Sequence, residues 1–307
     1  LKPRLTVLGS LNIDVVVKCR KRPRPGETVM GEYHALVPGG KGANQACAGS
    51  LLGGEVSIIG CIGEDQLGEM LLESLAKNGI DTSALHVLPR TPTGAAFITI
   101  DDRGENSIIV SGGANRKVTP DIVDPDVIKA ADIVLVQLET PLESVERAFE
   151  IAVSGGRKTV LNPSPVRTIP DSSVLWKSTV FVMNEIEAEY YSGIPVHVPS
   201  DALEAGRAVL SRGVEFAVVT LGEQGSVVVS NTLQETVKAF AVDAVDTTAA
   251  GDTYIGGFCT EWLRTGDVVS AMRYGSAAAA ISVTRFGAQT SIPADIEVRR
   301  FLKDSGG

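Results

Sequence analysis

The sequence predicts an α/β fold: a three-layer α/β/α arrangement around a mostly parallel sheet, with a small β-sheet lid projecting from it. Three observations carry this expectation. Short apolar runs of strand length alternate with stretches of helical periodicity, the pattern of a parallel sheet covered on both faces. Four further strand-like runs come in pairs with no helix between the members. The chain has 307 residues, 44% of them hydrophobic, ample for one large core or a core with a small appendage. We therefore expect one domain over residues 1–307, its lid drawn from segments at about 13–38 and 93–113.

Each element has a local reason. Residues 5–9 (LTVLG) read as a buried strand closing on glycine. Residues 13–18 and 27–36 follow as strands with no helix between them, and 56–62 is the next apolar run. Leu67, Leu71 and Leu75 recur at a spacing of four, which places them on one helix face. Residues 93–100 and 107–111 flank DDRGEN, a hairpin loop containing Gly. The runs 133–137, 159–161, 180–183 and 216–220 supply further strands of the main sheet. Thr140-Pro141-Leu142-Glu143 has the composition of a capping box with proline at the first helical position, and Gly155 closes that helix. Residues 252–264 read as a helix with Tyr254, Phe258 and Trp262 four apart, and the alanine-rich 268–283 as another. There is no internal repeat and no long linker.

Composition excludes several classes. A formal net charge of −9 argues against a nucleic-acid partner, which calls for positive charge facing phosphate. The basic run Lys18 to Arg24 reads as a solvated turn. Cys19, Cys47, Cys61 and Cys259 are widely spaced, which suits free thiols in a reducing compartment such as the cytoplasm and makes a zinc site unexpected. His34, His86 and His197 form no ligand-spaced cluster. No apolar run approaches the roughly 18 to 20 residues needed to span a bilayer, so no membrane association is expected. The chain opens at Leu1 and not at methionine, which leaves room for a removed leader.

Two stretches carry chemistry. In DTTAAGDTYIGGF, residues 246–258, the small Ala249, Ala250 and Gly251 enter a helix whose N-terminus offers unpaired N–H groups to an anion. Asp252 stands at that mouth. One reading makes it a helix cap. The other makes it a proton acceptor that faces a neutral alcohol while the amides hold a migrating phosphoryl group. The second stretch is PGGKGANQACAG, residues 38–49, where Gly39, Gly40 and Gly42 permit a tight turn into a helix and Lys41 and Asn44 offer polar groups to sugar hydroxyls. Neither GxxxxGK[ST] nor a GxGxxG between strand and helix occurs, so a Walker-type nucleotide site is excluded and a dinucleotide site is disfavoured.

GGKGANQA together with DTTAAGDTY resembles the ribokinase family within the larger carbohydrate kinase group, over nearly the whole chain from GSLNID (9–14) to GAQTS (287–291). That resemblance implies an ATP-dependent phosphorylation of D-ribose at O5. Kinases for 2-deoxyribose or another sugar, or a weakly catalytic sugar-binding relative, are the alternatives. By similarity Asn12, Asp14, Gly40, Lys41, Gly42, Asn44 and Glu139 contact sugar, and Asp252 is the base. Ala249, Ala250 and Gly251 make the anion hole, with alanine at 249 where the wider group usually has glycine. NEIE (184–187) implies Asn184 toward phosphate and Glu187 toward Mg²⁺ through water. TLGEQG implies Thr220, Gly222 and Gly225 at the nucleotide, and Ser276 falls at an adenine-pocket position that often carries a larger polar side chain. Asp246, Thr248, Ser282, Arg285, Gly287 and Ser291 match a loop for a monovalent cation, K⁺. The family also implies a homodimer formed by interlocking lids.

Overall fold

A computed structural model describes residues 2–306. In chain order its strands are β1 (Arg4–Leu8), β2 (Asn12–Cys19), β3 (Gly31–Gly39), β4 (Glu55–Gly63), β5 (Leu85–Leu88), β6 (Gly94–Ile100) and β7 (Asn106–Ser111). They continue as β8 (Ile133–Gln137), β9 (Lys158–Asn162), β10 (Val180–Met183), β11 (Phe216–Thr220), β12 (Ser226–Val229) and β13 (Gln234–Val237). The helices are α1 (Lys41–Leu51), α2 (Gln66–Lys77), α3 (Pro125–Ala130), α4 (Leu142–Ser154), α5 (Glu185–Ser192), α6 (Pro199–Leu210), α7 (Ala250–Thr265), α8 (Val268–Val283) and α9 (Asp295–Asp304).

Nine strands form the main sheet in the order β13-β12-β11-β10-β9-β8-β1-β4-β5. From β11 to β5 it is parallel, and β12 and β13 extend it antiparallel. Its burial follows the two-residue period of a strand. Val7, Ile133, Leu135, Val180, Val182 and Val218 enter one core, packed with α1, α2, α7 and α8. Leu8, Val134, Val136, Phe181, Met183 and Val219 enter the other, packed with α3 to α6. Each central strand is thus apolar on both sides, which is why it reads in sequence as a continuous apolar run.

The second sheet has the order β3-β2-β6-β7. Strand β2 pairs antiparallel with β3 and parallel with β6. Both faces of this sheet carry exposed apolar side chains: by register Leu36, Phe97 and Ile109 lie on one face, and Tyr33 and Ile108 on the other. The basic run is more than a solvated turn. Arg22 reaches across to the nearly buried Asp101 at 3.2 Å and to Glu105, so it ties the 20–30 loop to the β6–β7 hairpin.

The helix at Leu142 lacks the expected box. Pro141 occupies the N-cap with no side-chain cap bond, and the Thr140 hydroxyl is buried without a partner. Proline has turned the chain so that Thr140 points inward instead of back over the first turn. All four cysteines are free and buried. No helix among the described residues is long and apolar enough to cross a membrane.

Candidate active site

The order of strands places β1 between β8 and β4, with the chain moving outward first on one side and then on the other. Ligands of open α/β sheets bind at such a reversal, beyond the carboxyl ends of the strands. There the Ser10 hydroxyl, just past β1, donates to Glu139, just past β8. Glu139 also accepts the Lys41 amide at 3.2 Å, so the N-terminus of α1 is pinned to the same spot. Gly40 makes that approach possible. Its φ is +89°, and a Cβ there would lie 2.7 Å from the Asn12 nitrogen.

Asn12 and Asp14 lie on β2 where it leaves this crevice. Asn12 is buried and its carbonyl accepts from the Asn115 amide at 2.8 Å. Asn115 in turn brackets the Leu11 backbone, donating to its oxygen at 3.0 Å and accepting from its nitrogen at 2.9 Å. The Asp14 carboxylate folds against Gly39, where a Cβ would sit 2.7 Å from it. Burial, then the charges of Glu139 and Asp252, push the Asp14 carboxyl up to about 6. Lys41 answers this negative field. Burial works against its charge, but Asp252, Glu139 and Glu187 outweigh that and hold the ammonium above the usual lysine range.

Asp252 sits in the first turn of α7 and is 7% exposed. It does not cap its own helix. Its two oxygens accept from the side chains of adjacent residues on α1: Asn44 at 3.1 Å and Gln45 at 2.9 Å. The α7 N-cap is Ala249, held in the left-handed region at φ +57° with no side-chain cap. The Ala250 amide turns back to the Thr247 oxygen at 3.2 Å. The amides of Gly251 and Asp252 donate to no protein group among the described residues, and no atom lies within 4 Å of where a Gly251 Cβ would stand. The bare amides and the positive end of the helix dipole therefore face open space.

Two cavities meet at that point. The smaller, about 210 Å³, is lined by Lys41, Asn162, Asn184, Glu187 and Asp252 among others. The larger, about 840 Å³, runs past Gly222, Gly225, Phe240, Tyr254 and Ser276. Thr220, Thr247, Ala250 and Gly251 line both. Asn184 and Glu187 form a reciprocal capping box at the start of α5: the Asn184 side chain accepts from the Glu187 amide at 2.8 Å and Glu187 from the Asn184 amide at 3.0 Å. The capping role and a place in the cavity wall thus coexist.

The expected cation loop is only partly assembled by side chains. Asp246 accepts from the Thr248 amide and hydroxyl at 2.9 and 2.6 Å and from the Gly287 amide at 2.9 Å. Burial would raise Asp246, but these bonds prevail and hold it below the usual carboxylate range. Three other residues turn their side chains elsewhere. Arg285 pairs with Glu297, and the hydroxyls of Ser282 and Ser291 donate to the Ala279 and Ala288 oxygens.

Sequence reasoning missed Gln45, Asn115, Gln137 and Asn162. Gln45 lies inside the glycine-rich stretch already singled out. Asn162 ends β9, and a polar residue at the carboxyl end of a buried strand was the available signal. Asn115 had none, because its partners, the Leu11 backbone and the Asn12 side chain, lie about a hundred residues away.

Residues 2–295 match the pfkB family of carbohydrate kinases. The chain is 41% identical over 305 residues to the ribokinase of Haemophilus influenzae, covering 99% of both. It is 34% identical over 300 residues to the deoxyribokinase of Salmonella typhi, covering 97% of this chain and 98% of that one. Among solved structures, the Arabidopsis thaliana ribokinase complexed with ribose and ATP superposes with a TM-score of 0.92 at 30% identity, covering 99% of each chain.

Proposed function

The chain belongs to the pfkB family of carbohydrate kinases, and from that premise we propose that it transfers the γ-phosphoryl group of ATP to O5 of D-ribose, giving D-ribose 5-phosphate and ADP. One observation carries the reading: a buried carboxylate, Asp252, fixed by two amides beside an uncapped helix N-terminus where two cavities join. Asp252 takes the proton of the attacking hydroxyl as its oxygen bonds to the γ-phosphorus. The bond from that phosphorus to the β-bridging oxygen breaks, and ADP leaves. The open amides of Gly251 and Asp252 face the charge on the migrating group, and Ala250 lines the hole beside them. In-line phosphoryl transfer depends chiefly on positioning and charge neutralisation, which this arrangement supplies.

Asn12, Asp14, Gly40, Gly42, Asn44 and Glu139 form the sugar side, gathered by β2, the α1 N-terminus and the end of β8. Lys41 belongs to both sides, because it lines the smaller cavity with the α7 amides. Thr220, Gly222, Gly225 and Ser276 line the larger cavity, which suits a nucleotide in size and apolar character. Glu187 with Asn184 supplies hard oxygen donors that fit Mg²⁺ retaining its waters, and the ion would neutralise phosphate charge there. Asp246, with Thr248 and the carbonyls near Ser282, Arg285, Gly287 and Ser291, fits a K⁺ that would order the loop below the anion hole. The small sheet acts as a lid within one domain, and the exposed Leu36, Phe97 and Ile109 that share one of its faces support pairing with the lid of a second copy. Closure would keep water from taking the phosphoryl group.

The similarity to a deoxyribokinase favours a second reading on the same site, with 2-deoxyribose as acceptor. ADP release measured over a panel of sugars, with and without K⁺, separates the two. Ribose should give the highest kcat/KM, and a preference for 2-deoxyribose would reverse the assignment. Asp252→Asn should lower turnover by roughly 10²–10⁴ with sugar binding largely kept. Near-normal turnover in that variant would remove the base assignment. Asp246→Ala should blunt activation by K⁺, and a wild-type rate indifferent to K⁺ and Na⁺ would count against the cation loop.

A further inference from the structure

Beneath the two cavities lies a chain of buried side-chain amides that the transfer step does not itself use. Gln45 is fully buried, and so is Gln137. Gln45 lines neither cavity. Its Nε2 donates both to Asp252 Oδ1 at 2.9 Å and to Asn162 Oδ1 at 3.1 Å. Its Oε1 accepts from Gln137 Nε2 at 2.6 Å. Asn162 passes the connection on, donating to the Val182 oxygen at 3.1 Å and lying 3.5 Å from Glu187 Oε2.

The chemistry runs in one direction only. An ionised carboxylate accepts and cannot donate, so Gln45 must present its NH₂ to Asp252, which leaves its oxygen for Gln137. Gln137 is itself buried and fills the space left by the missing Cβ of Gly9, its Oε1 taking no hydrogen bond, so its amide engages the network only through the NH₂ it gives to Gln45. Asn44, the other donor to Asp252, accepts from Gln289 Nε2 at 3.3 Å on its oxygen, and its NH₂ group donates to no protein group but Asp252 among the described residues. Gln45, by contrast, has both ends of its amide taken up inside the protein, its NH₂ by Asp252 and Asn162 and its oxygen by Gln137.

We propose that Gln45 is the positioning residue for the proton acceptor, fixing the plane of the Asp252 carboxylate while Asn44 turns to the sugar, and that Gln137 holds Gln45 in the one orientation that permits this. The inference rests on Asp252 being the base. It also explains why two glutamines occupy positions that an apolar core would otherwise fill: a free carboxylate rotates about its Cβ–Cγ bond, and an ångström of misplacement at a reacting centre can cost about 10²-fold in rate.

The test is steady-state kinetics of Gln45→Met, a substitution of similar length that cannot hydrogen-bond, together with sugar binding by calorimetry. The expected result is a kcat lowered about 10- to 100-fold, with the sugar Kd and both KM values within about threefold of wild type. Gln137→Met should shift kcat in the same direction by less, since it reaches Asp252 only through Gln45. A folded Gln45→Met enzyme with wild-type kcat overturns the proposal. So does one whose sugar Kd rises while kcat holds, which marks Gln45 as mere support for the pocket. If Gln45→Met does not fold, Gln137→Met decides: lowered kcat at unchanged Kd upholds the role, and wild-type kcat overturns it. Asp252→Asn run alongside separates the two levels. An active Asp252→Asn enzyme defeats the base assignment itself, whereas an inactive one beside a normal Gln45→Met defeats only the positioning role.

Discussion

Asp14 should destabilise the free protein at neutral pH, and removing its charge should reveal by how much. Its carboxyl is pushed from 3.8 up to about 6, mainly by burial and then by Glu139 and Asp252. A carboxyl raised on folding favours the folded state below its unfolded value and opposes it as pH climbs through the folded one. A shift of about two units corresponds to about 3 kcal/mol against folding above pH 6 or so. At a pH of about 4.5 most of that disappears, leaving about 1 kcal/mol. Asp14→Asn keeps the shape and removes the charge. Urea unfolding at a pH of about 7.5 should show the variant more stable than wild type by about 2 to 3 kcal/mol, with a gap of about 1 kcal/mol or less near pH 4.5. On the proposed reading the same variant should bind sugar poorly, because it loses the carboxylate assigned to the sugar hydroxyls. Equal stability at neutral pH, or a variant less stable than wild type there, would refute the claim that this carboxylate is held against its own preference for the sake of ligand binding.

Three further outcomes follow from the geometry. Ala249 at φ +57° carries left-handed strain of roughly 1–2 kcal/mol, and glycine would relieve it at an entropic cost of about 0.4–1 kcal/mol, so Ala249→Gly should gain about 0.5 kcal/mol in urea unfolding; a loss of stability would contradict this. Gly256→Ala puts a Cβ 2.5 Å from Ala48 Cβ and 2.7 Å from the Gly49 nitrogen, which must drive α7 from α1. It should cost about 1–3 kcal/mol in stability and lower kcat as Asp252 leaves its amide partners; an unchanged Tm and rate would show that the helices yield elsewhere. Asp65 caps α2 through Gly68 at 2.9 Å and holds Thr93, the residue just before β6, through its amide and hydroxyl at 2.8 and 2.6 Å. Burial would raise its pKa, but these bonds outweigh burial and lower it, so its contribution is present above 3.8 and fades as pH falls through the folded value. Asp65→Asn should therefore be less stable by about 0.5–2 kcal/mol at neutral pH and converge on wild type in acid, as followed by unfolding at several pH values.

Much of the fold was legible because a strand or helix writes its period into its own residues. The alternation of β8 into two cores and the i, i+4 leucines of α2 are local facts, and β8, β10, β11 and α8 fall where their patterns predict. Element ends were less legible. Thr140 and Pro141 carry the composition of a cap without its bonds, because composition does not say which way proline turns the chain. Asn184 and Glu187 do form their box, since both partners lie within one turn and no distant element must agree.

What the residues determine unaided is the alphabet of the site: a carboxylate next to small residues at a helix start, and a glycine-rich turn with a lysine and an amide. What tertiary structure alone decides is pairing over distance. Gln45 and Asp252 stand 207 positions apart and touch because α1 and α7 pack glycine against small residues. The left-handed turn at Ala249, the idle amides of Gly251 and Asp252, and the crowding of Asp14 by Glu139 likewise depend on which elements become neighbours. A buried polar group takes its partner and its charge from whatever surrounds it, and in a parallel sheet those surroundings come from segments far apart along the chain.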